Sequence, residues 1–577
     1  MWQALFSIHS LKCKAFVVRP YALRRAVDKV DQHAESASGQ NVAQVSNLLY
    51  RRFPIGSASD VRERVWNRGV RRLEALRHSR LGNLRYDFVN RSALPCVSQV
   101  AMPSIPTRMK KVSMPAHNPK AMHENAGDKI NRRSFFKRVG TGSLALGALG
   151  ASAEDEITSA AQGVNRHSSP SDLKITDLRI AEIREAPMRV PMIRIDTNQD
   201  IYGLGEVRDG GSKRYALFLK SRLLGENPCQ VERIFKKIKQ FGHHGRQGGG
   251  VSGVEMALWD LAGKAYGVPV YQLLGGKYRD RIRLYCDTTG SSDPDVYARR
   301  MKERVAKGFT FLKMDFGIPM IRNIPGALSL PGNFDWRSYQ QTEHPFTQVQ
   351  ITEKGLDKLV EYVARVREGI GYETPLAADH FGHIGVNSCI RLGKRLEPYQ
   401  LAWLEDMVPW KYTQMWREIT EAIALPTLTG EDIYLKEEFI KLIDARAVDM
   451  IHPDLASAGG ILETKKIGDY AEERGVAMAM HFAGSPISFM ANVHCAAATQ
   501  NFVALEHHSV DVPWWEDLVT GIEKPIMNNG FVKVPETPGL GIDLNPDVIK
   551  EHLTEGSGYF EPTPEWNSDR SWDRLWS

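Results

Sequence analysis

The sequence predicts an α/β protein, a modified (β/α)8 barrel of the TIM type that follows an N-terminal α+β capping domain. The barrel is predicted because short apolar runs, each ending in a polar residue, recur at intervals of 26, 26, 23, 27 and 25 residues. The polar residues are Asp379, Glu405, Glu431, Asp454, His481 and Glu506. Each interval has room for one strand, one helix and two loops. We therefore expect these residues at the carboxyl ends of parallel strands, where barrel enzymes carry their active sites.

The first 121 residues form a basic extension. They contain 21 Lys and Arg against 7 Asp and Glu, a balance of +14, so the remaining chain carries −7 of the net +7. A nucleic-acid partner is therefore not expected for the catalytic part. We expect residues 1–121 to be either a disordered extension or the product of a mis-set gene start. The six cysteines form no CxxC pair, which favours free thiols over disulfides or a zinc site.

Residues 122–153 carry the pattern of an export signal. Arg132 and Arg133 precede two phenylalanines, then a weakly apolar Gly/Ala/Leu run and the small-residue site at 151–153. The pattern resembles a bacterial twin-arginine signal and predicts export to the periplasm or beyond. An ordinary helix with an arginine pair is the alternative. The apolar run is too short for a permanent membrane span. Residues 154–173 are predicted to be a linker.

The capping domain is predicted over residues 174–280. Three alternating segments, at 174–185, 191–197 and 201–207, predict an antiparallel meander. Helical patterns follow at 213–223, 228–240 and 252–266.

The barrel is predicted over residues 281–520, and residues 521–577 are expected to return to the cap. Its first strand is predicted at 281–287, followed by a helix at 294–307 and a strand at 309–314. One repeat is oversized, because Lys313 and Asp379 are 66 residues apart. The excess is expected to shape the substrate pocket or an oligomer contact, and a homo-oligomer is expected.

Three of the six polar residues predict a metal site. Asp379, Glu405 and Glu431 come from neighbouring strands and offer only carboxylate oxygens. Three carboxylates brought together repel one another without a cation, and an all-oxygen set selects Mg²⁺. We therefore expect one Mg²⁺ per active site. Three independent salt bridges are the alternative.

The other polar residues predict acid and base catalysis. Asp454 and His481 suit a general base, since a carboxylate fixes the tautomer of a neighbouring imidazole. Lys313 is expected to act as a second acid or base or as a cation for a substrate carboxylate, with a structural salt bridge as the alternative. Glu506 is expected to stabilise an enolate oxygen if a raised pKa keeps it protonated, with a solvated glutamate as the alternative. Together these groups suit removal of a proton next to the carboxylate of a small molecule.

Several motifs in order carry a resemblance to a known family. They are GLGE at 203–206, ALWDLAGKAYGVPVYQLLGG at 257–276, Lys313-x-Asp315, the three carboxylates, PDLASAGG at 453–460, His481 and PGLGIDL at 538–544. Residues 174–550 thereby resemble the mandelate racemase / muconate lactonizing enzyme branch of the enolase superfamily. The resemblance implies a cap over a modified barrel, Mg²⁺ and an enolate intermediate.

Within that branch, the short cap loop at 187–191 is similar to that of acid-sugar dehydratases. This resemblance implies that His481 abstracts the proton on carbon 2 of a sugar acid and that the 3-hydroxyl leaves, giving a 2-keto-3-deoxy acid. Arg246, with His243 and His244, is expected to contact the sugar, with a plain exposed loop as the alternative. A racemase, epimerase or cycloisomerase is the alternative, and a non-catalytic sugar-acid binding protein is a third possibility.

Two positions depart from the family pattern. Galactonate-type dehydratases carry His two residues after the first metal ligand, where this chain has Phe381. His380 and His383 flank that position and are expected to contact substrate. Racemases have a second Lys where this chain has Asp315, which is expected to bind substrate or to hold Lys313 protonated. The Lys313/Asp315 pair disfavours two-base racemisation.

Overall fold

A computed structural model describes residues 168–243, 245–332, 334–335, 337, 348–379, 381 and 384–569. The basic extension, the export signal and most of the linker lie outside these residues, as do His244, His380 and His383. The described part begins with the predicted antiparallel meander, in the order β1-β2-β3. Its strands are β1 (Ile175–Ile183), β2 (Val190–Thr197) and β3 (Tyr202–Glu206). In β1 and β2, Ile183 pairs with Val190 across the short loop.

The cap continues with five helices, and one of them organises its core. The helices are α1 (Arg214–Leu217), α2 (Lys220–Leu223), α3 (Val231–Ile238), α4 (Gly245–Tyr266) and α5 (Val270–Leu273). Helix α4 packs directly on β3, because a Cβ at Gly203 or Gly205 would overlap a backbone carbonyl oxygen of α4. The GLGE motif is therefore a packing requirement of the cap.

The start of α4 differs from the sequence prediction. The apolar pattern predicts a helix from residue 252, yet it begins at Gly245. The added residues include Gly249 and Gly250, which are poor helix formers. A Cβ at Gly249 would lie 2.7 Å from the backbone nitrogen of Arg208, and one at Gly250 would overlap the Tyr215 carbonyl. The close approach of these backbones explains why glycine continues the helix here.

The second part is the predicted closed barrel of eight parallel strands. The strands are β4 (Arg281–Asp287), β5 (Leu312–Asp315), β6 (Leu376–Asp379), β7 (Leu404–Glu405), β8 (Thr427–Thr429), β9 (Met450–Ile451), β10 (Ala477–Met480) and β11 (Phe502–His507). Each strand pairs in parallel with the next, and β11 pairs with β4 to close the ring. The barrel predicted from the recurring polar residues is confirmed.

Helices surround the barrel and connect its strands. They are α6 (Pro294–Ala306), α7 (Ile318–Ile321), α8 (Glu353–Ile370), α9 (Val386–Leu396), α10 (Thr413–Ala422), α11 (Lys436–Asp444), α12 (Leu455–Ala458), α13 (Ile461–Glu472) and α14 (Pro486–Ala498). Side-chain oxygens cap several of them: Asp293 for α6, Thr352 for α8 and Ser485 for α14. These caps satisfy N–H groups that have no partner within the helix. Aromatic and small apolar side chains, including Phe311, Trp403 and Leu428, fill the barrel interior.

The oversized repeat contains α7 and a short ladder in which Leu328–Ser329 pairs with Gln350–Ile351. Much of the intervening loop lies outside the described residues, so its expected part in the pocket or in an oligomer stays a prediction.

After the barrel, the chain runs back across both parts. Phe531–Lys533 pairs antiparallel with the start of β4. Further on, the N–H of Leu540 donates to Asp260 of α4 at 2.8 Å, and the Tyr202 hydroxyl of β3 donates to Asp543. The last helix is α15 (Pro546–Glu551).

Cys229, Cys286, Cys389 and Cys495 are free thiols, and the last three are buried. In the portion of the chain with assigned structure, no helix is long and apolar enough to cross a membrane.

Candidate active site

All six polar residues of the repeat lie at the carboxyl-terminal end of the barrel. Asp379 and Glu405 end β6 and β7, and Glu506 lies near the end of β11. Glu431 and Asp454 follow β8 and β9 in short loops, and His481 follows β10 directly. The parallel strands thus gather these side chains at one face, as the repeat predicted.

The carboxylates on β6 to β8 form a strongly acidic group. Ligand atoms of Glu405 and Glu431 lie within 4.8 Å of each other, together with one of His452. Burial, reinforced by Asp379, raises the pKa of Glu405 well above its usual value. The Oε1 atom of Glu405 is buried and makes no well-directed hydrogen bond. A buried, under-satisfied carboxylate among others of like charge fits a site for a hard divalent cation.

Asp406 belongs to the same group, although the repeat did not identify it. Its backbone is left-handed, with φ of 48°, and its Oδ1 accepts a hydrogen bond from the Thr429 hydroxyl at 2.5 Å. Burial, then Glu431 and Asp379, raise its pKa well above the usual value. Successive residues of a regular strand face opposite sides. The left-handed turn explains how Asp406 comes to lie near the carboxylates of its neighbours.

Asp454 and His481 form a buried pair. Nδ1 of His481 lies 2.6 Å from Oδ2 of Asp454, and its Nε2 lies 3.1 Å from Glu431. Asp454 also caps α12 by accepting the N–H of Ser457 at 3.0 Å. Burial opposes ionisation of Asp454, but Arg208 and His481 outweigh it and lower the pKa. An ionised carboxylate can only accept, so Nδ1 carries a hydrogen and Nε2 is left to act as the base.

Arg208 is a cap residue that reaches into this pair, and sequence reasoning missed it. Its guanidinium lies 2.9 Å from Asp454, donates at 3.0 Å to the Glu431 carbonyl and contacts Asp209 at 2.6 Å. Only 1% of its side chain is exposed. The signal in the sequence was its place directly after the GLGEV strand. Its contact with a residue 223 positions away was not visible there.

Lys313 lies between two halves of the active face, the first formed by β6 to β8 and the second by β9 to β11 and β4. Its Nζ is 2.8 Å from Asp379 and 2.6 Å from Glu506, with Glu405 at 3.6 Å. Burial opposes its charge, but these carboxylates outweigh it and raise the pKa well above the usual value. Lys313 is therefore a fixed cation, which makes it a poor general base.

Glu506 differs from the sequence prediction. A raised pKa was expected to keep it protonated, and the alternative was a solvated glutamate, but its side chain is 0% exposed. Burial opposes its ionisation, yet Lys313, His508 and His481 outweigh burial and lower the pKa well below the usual value. Both expectations are wrong because the Lys313 ammonium and the His508 imidazolium lie beside this buried carboxylate. Glu506 is an ionised group that holds cations.

His508 and Asp287 extend this second half, and neither was singled out from the sequence. Nε2 of His508 lies 3.0 Å from Glu506, and its Nδ1 lies 3.3 Å from Asp287 at the end of β4. Burial lowers the pKa of His508, but Glu506 and Asp287 outweigh it and raise the pKa to about 9. His508 is therefore an imidazolium at neutral pH.

A buried polar pair connects the two halves. The Tyr285 hydroxyl donates to Glu506 at 2.8 Å and lies 2.6 Å from Nε2 of His452. Nδ1 of His452 lies 2.9 Å from Glu405. Burial lowers the pKa of His452 to about 4, so its ring is neutral. In the sequence, Tyr285 resembles an ordinary core aromatic, which is why the pair went unnoticed.

The structure describes Phe381, Asp315 and Arg246 among the remaining predicted residues, but not His380 or His383. Phe381 is fully buried and its ring centroid is 5.4 Å from that of Phe316, so an apolar side chain fills this position. Asp315 pairs in register with Asp379. Arg246 donates to the Asp209 carbonyl at 2.8 Å and lies 3.7 Å from Asp432, with 42% of its side chain exposed. The substrate contacts expected for Asp315, Arg246, His380 and His383 stay predictions.

Comparison with known proteins agrees with this site. Residues 172–275 match the mandelate racemase / muconate lactonizing enzyme N-terminal domain, and residues 296–548 match the enolase C-terminal domain-like family. A D-xylonate dehydratase of Haloferax volcanii is 36% identical over 380 residues, which cover 64% of this chain and 87% of that protein. The D-galactonate dehydratase family member RspA of Pantoea ananatis is 30% identical over 424 residues, which cover 70% of this chain and 98% of that protein.

Comparison with solved structures supports the same family assignment. The crystal structure of a mandelate racemase/muconate lactonizing enzyme-like protein from Rubrobacter xylanophilus superimposes with a TM-score of 0.60 at 32% identity. The match covers 67% of this chain and 99% of that one. This chain is therefore an enzyme of the mandelate racemase / muconate lactonizing enzyme family of the enolase superfamily, and its relatives include dehydratases.

Proposed function

We propose that this enzyme is a Mg²⁺-dependent hydro-lyase that converts a sugar acid to a 2-keto-3-deoxy acid. The single observation that carries the proposal is the oriented His481. Its Nδ1 is held by Asp454, and its Nε2 faces the acidic group. The relatives named as D-xylonate and D-galactonate dehydratases support an aldonic acid as the substrate.

Different residues would hold the metal ion, accept the proton and supply positive charge when the carbon 2 proton is removed. Asp379, Glu405 and Glu431 would hold Mg²⁺, which supplies positive charge that makes the proton next to the substrate carboxylate more acidic. His481 takes the proton from carbon 2 at Nε2, while Asp454 and Arg208 hold its ring. Lys313, kept protonated by Asp379 and Glu506, adds fixed positive charge to the pocket.

The alternative is a racemase or epimerase, which needs a second base on the opposite face of the substrate. Lys313 is the basic residue placed for that role. Its pKa is raised because burial is outweighed by three carboxylates. A lysine held as a cation cannot accept a proton near neutral pH. The charge on Lys313 thus supports a one-base reaction, and dehydration is the one we favour.

A substrate screen with one variant tests the proposal. The enzyme with Mg²⁺ is incubated in D2O with a set of aldonic and aldaric acids, and keto acid and deuterium at carbon 2 are measured. We expect keto acid from at least one aldonic acid. His481→Asn should lower both keto acid formation and exchange by about 100-fold or more. Exchange with no keto acid from any substrate would indicate an isomerase instead, and turnover that survives His481→Asn would exclude His481 as the base.

We also propose that the enzyme is exported through a twin-arginine pathway. Support comes from the arginine pair at residues 132–133 and the small residues at 151–153, which lie outside the described part. N-terminal sequencing of protein from its native cells tests this. A mature end near residue 154 is expected, and a mature end far upstream would contradict export.

A further inference from the structure

Dehydration of a sugar acid needs a proton donor for the leaving group. A hydroxyl leaves poorly as hydroxide, so an acid must protonate it as the carbon–oxygen bond breaks. The position two residues after Asp379 is filled by Phe381, which is buried against Phe316 and has no proton to give. The acid must therefore come from elsewhere on the face.

Lys313 is a poor candidate for that acid. Its ammonium is within 2.8 Å of two carboxylates, Asp379 and Glu506. Its ammonium donates to Asp379 and is held against Glu506, so its hydrogens are directed at carboxylates of the protein and not at a leaving group.

His508 has the position that the acid needs. It lies two residues after Glu506 and directly follows β11, at the carboxyl-terminal end of the barrel that carries the other polar residues. Its ring centroid is 5.8 Å from that of the base His481. Its side chain is 19% exposed, whereas that of Glu506 is 0% exposed. A substrate carbon 3 adjacent to a carbon 2 at His481 would therefore lie close to His508.

The charges around His508 keep it protonated. Glu506 lies 3.0 Å from Nε2 and Asp287 lies 3.3 Å from Nδ1. The charge of Lys313 also acts on it, the ring of His481 lies 5.8 Å away, and His507 is its neighbour in the chain. Burial lowers its pKa, but Glu506 and Asp287 outweigh burial and Lys313, which gives a value of about 9.

We propose that His508 is the general acid that protonates the departing 3-hydroxyl, an inference that rests on the dehydratase function proposed above. The carbon 2 proton passes to Nε2 of His481 and the carbon 2–carbon 3 double bond forms. The carbon 3–oxygen bond breaks, and the oxygen leaves as water with the proton of His508. The enol then takes a proton at carbon 3 and loses one from its hydroxyl. A proton passed from His481 to His508 through water restores the enzyme.

His508→Asn tests this by separating the two half-reactions. With an aldonic acid that the wild-type enzyme dehydrates, keto acid formation should fall by about 100-fold or more. Deuterium exchange at carbon 2, which needs only His481, should stay within about threefold. The 3-deoxy-3-fluoro analogue should rescue the variant, because fluoride leaves without a proton. His552→Asn, a partly exposed histidine stacked on Trp514, is the matched control and should keep both rates.

The pH profile provides a second readout. Wild-type kcat/KM should fall above a pH of about 9, because the acid of the free enzyme must carry its proton. That basic limb should disappear in His508→Asn. A variant that loses exchange in parallel with dehydration would show that His508 only positions Glu506. Unchanged dehydration, or no rescue by the fluoro analogue, would also overturn the proposal. Failure of the dehydratase function itself would appear separately, as wild-type enzyme that forms no keto acid.

Discussion

The two halves of the active face handle charge differently. On β6 to β8, four acidic residues lie close together, namely Asp379, Glu405, Asp406 and Glu431, and Lys313 contacts the first two. Glu431 takes its basic partners from the other half, with Arg208 at 3.5 Å and His481 at 3.1 Å. On β9 to β11 and β4, Asp454 has Arg208 and His481, and Glu506 has Lys313 and His508. Among the described residues, the four acids of the first half thus share a few basic partners from outside it, whereas Asp454 and Glu506 have two each.

This difference predicts which half depends on a bound ion. Like charges buried together raise one another's pKa, as burial and Asp379 do for Glu405. A divalent cation relieves that repulsion and stabilises the folded protein. In the second half the pKa of Asp454 and of Glu506 is lowered despite burial, because cations are already in place. The acid–base residues should thus be assembled before any ion binds.

The largest expected effect comes from Glu405→Gln in the first half. Loss of this ligand should lower kcat/KM by about 1000-fold, equivalent to about 4 kcal/mol of transition-state stabilisation. Without Mg²⁺ the variant should melt at or above the wild-type temperature, because one buried negative charge is gone. Saturating Mg²⁺ should raise the wild-type Tm by several degrees and the variant Tm by much less.

Asp287→Asn is the matched change in the second half, since this carboxylate is near a histidine and outside the acidic group. Its Mg²⁺-dependent rise in Tm should equal that of the wild type. Equal rises in Glu405→Gln and Asp287→Asn would mean that the acidic group is not where the ion binds.

A smaller effect is expected from Arg208→Met in the second half. The change leaves Asp454 buried without its guanidinium, and breaking a buried pair in this way costs about 3–5 kcal/mol of unfolding free energy. Because the residue acts through Asp454 and Glu431, kcat should fall by about 10- to 100-fold. Urea unfolding and steady-state kinetics measure both quantities.

Arg246→Met is the control for this variant. It removes a cap arginine from the same neighbourhood, but the side chain is 42% exposed. Its unfolding free energy should change by less than about 1 kcal/mol. A loss as large as that of Arg208→Met would show that burial of the guanidinium is not the cause.

The same contrast separates what the sequence could and could not predict. The barrel and its six polar residues followed from spacing alone, because parallel strands place their ends on one face. Arg208 was missed because its partner Glu431 is 223 positions away. Asp406 was missed because a backbone φ of 48° turns a residue that regular strand geometry would direct away. A sequence pattern identifies positions within one helix or strand. The roles of Arg208 and Asp406 depend instead on a distant contact and on an irregular backbone.

The ionisation state of Glu506 was wrong for a related reason. Burial alone would raise its pKa, as the sequence suggested, but two cations reverse the sign: Lys313 from β5 and His508, which directly follows β11. The spacing of polar residues in the sequence shows that a carboxylate lies at the end of a strand. It does not show which side chains of other strands surround that carboxylate. The residues of the second half are defined by such cross-barrel pairs, so more of that half had to come from the structure.

The smallest expected effect comes from Tyr285→Phe, which cuts the polar connection between the halves. The ring still packs on Trp403, at 5.4 Å between centroids, but the hydroxyl bonds to Glu506 and His452 are lost. Leaving Glu506 without this donor and Nε2 of His452 without this partner should cost about 1–3 kcal/mol of unfolding free energy. Since Lys313 and His508 still hold Glu506, kcat should fall by less than tenfold.

Tyr362→Phe makes the test specific to the connection. This tyrosine is also buried, and its hydroxyl donates at 2.5 Å to the Ser291 carbonyl, away from Glu506 and His452. It should lose a similar amount of stability with no change in kcat. If both variants lower kcat equally, the effect comes from general loosening of the barrel. If only Tyr285→Phe does so, the buried hydroxyl transmits position from one half of the face to the other.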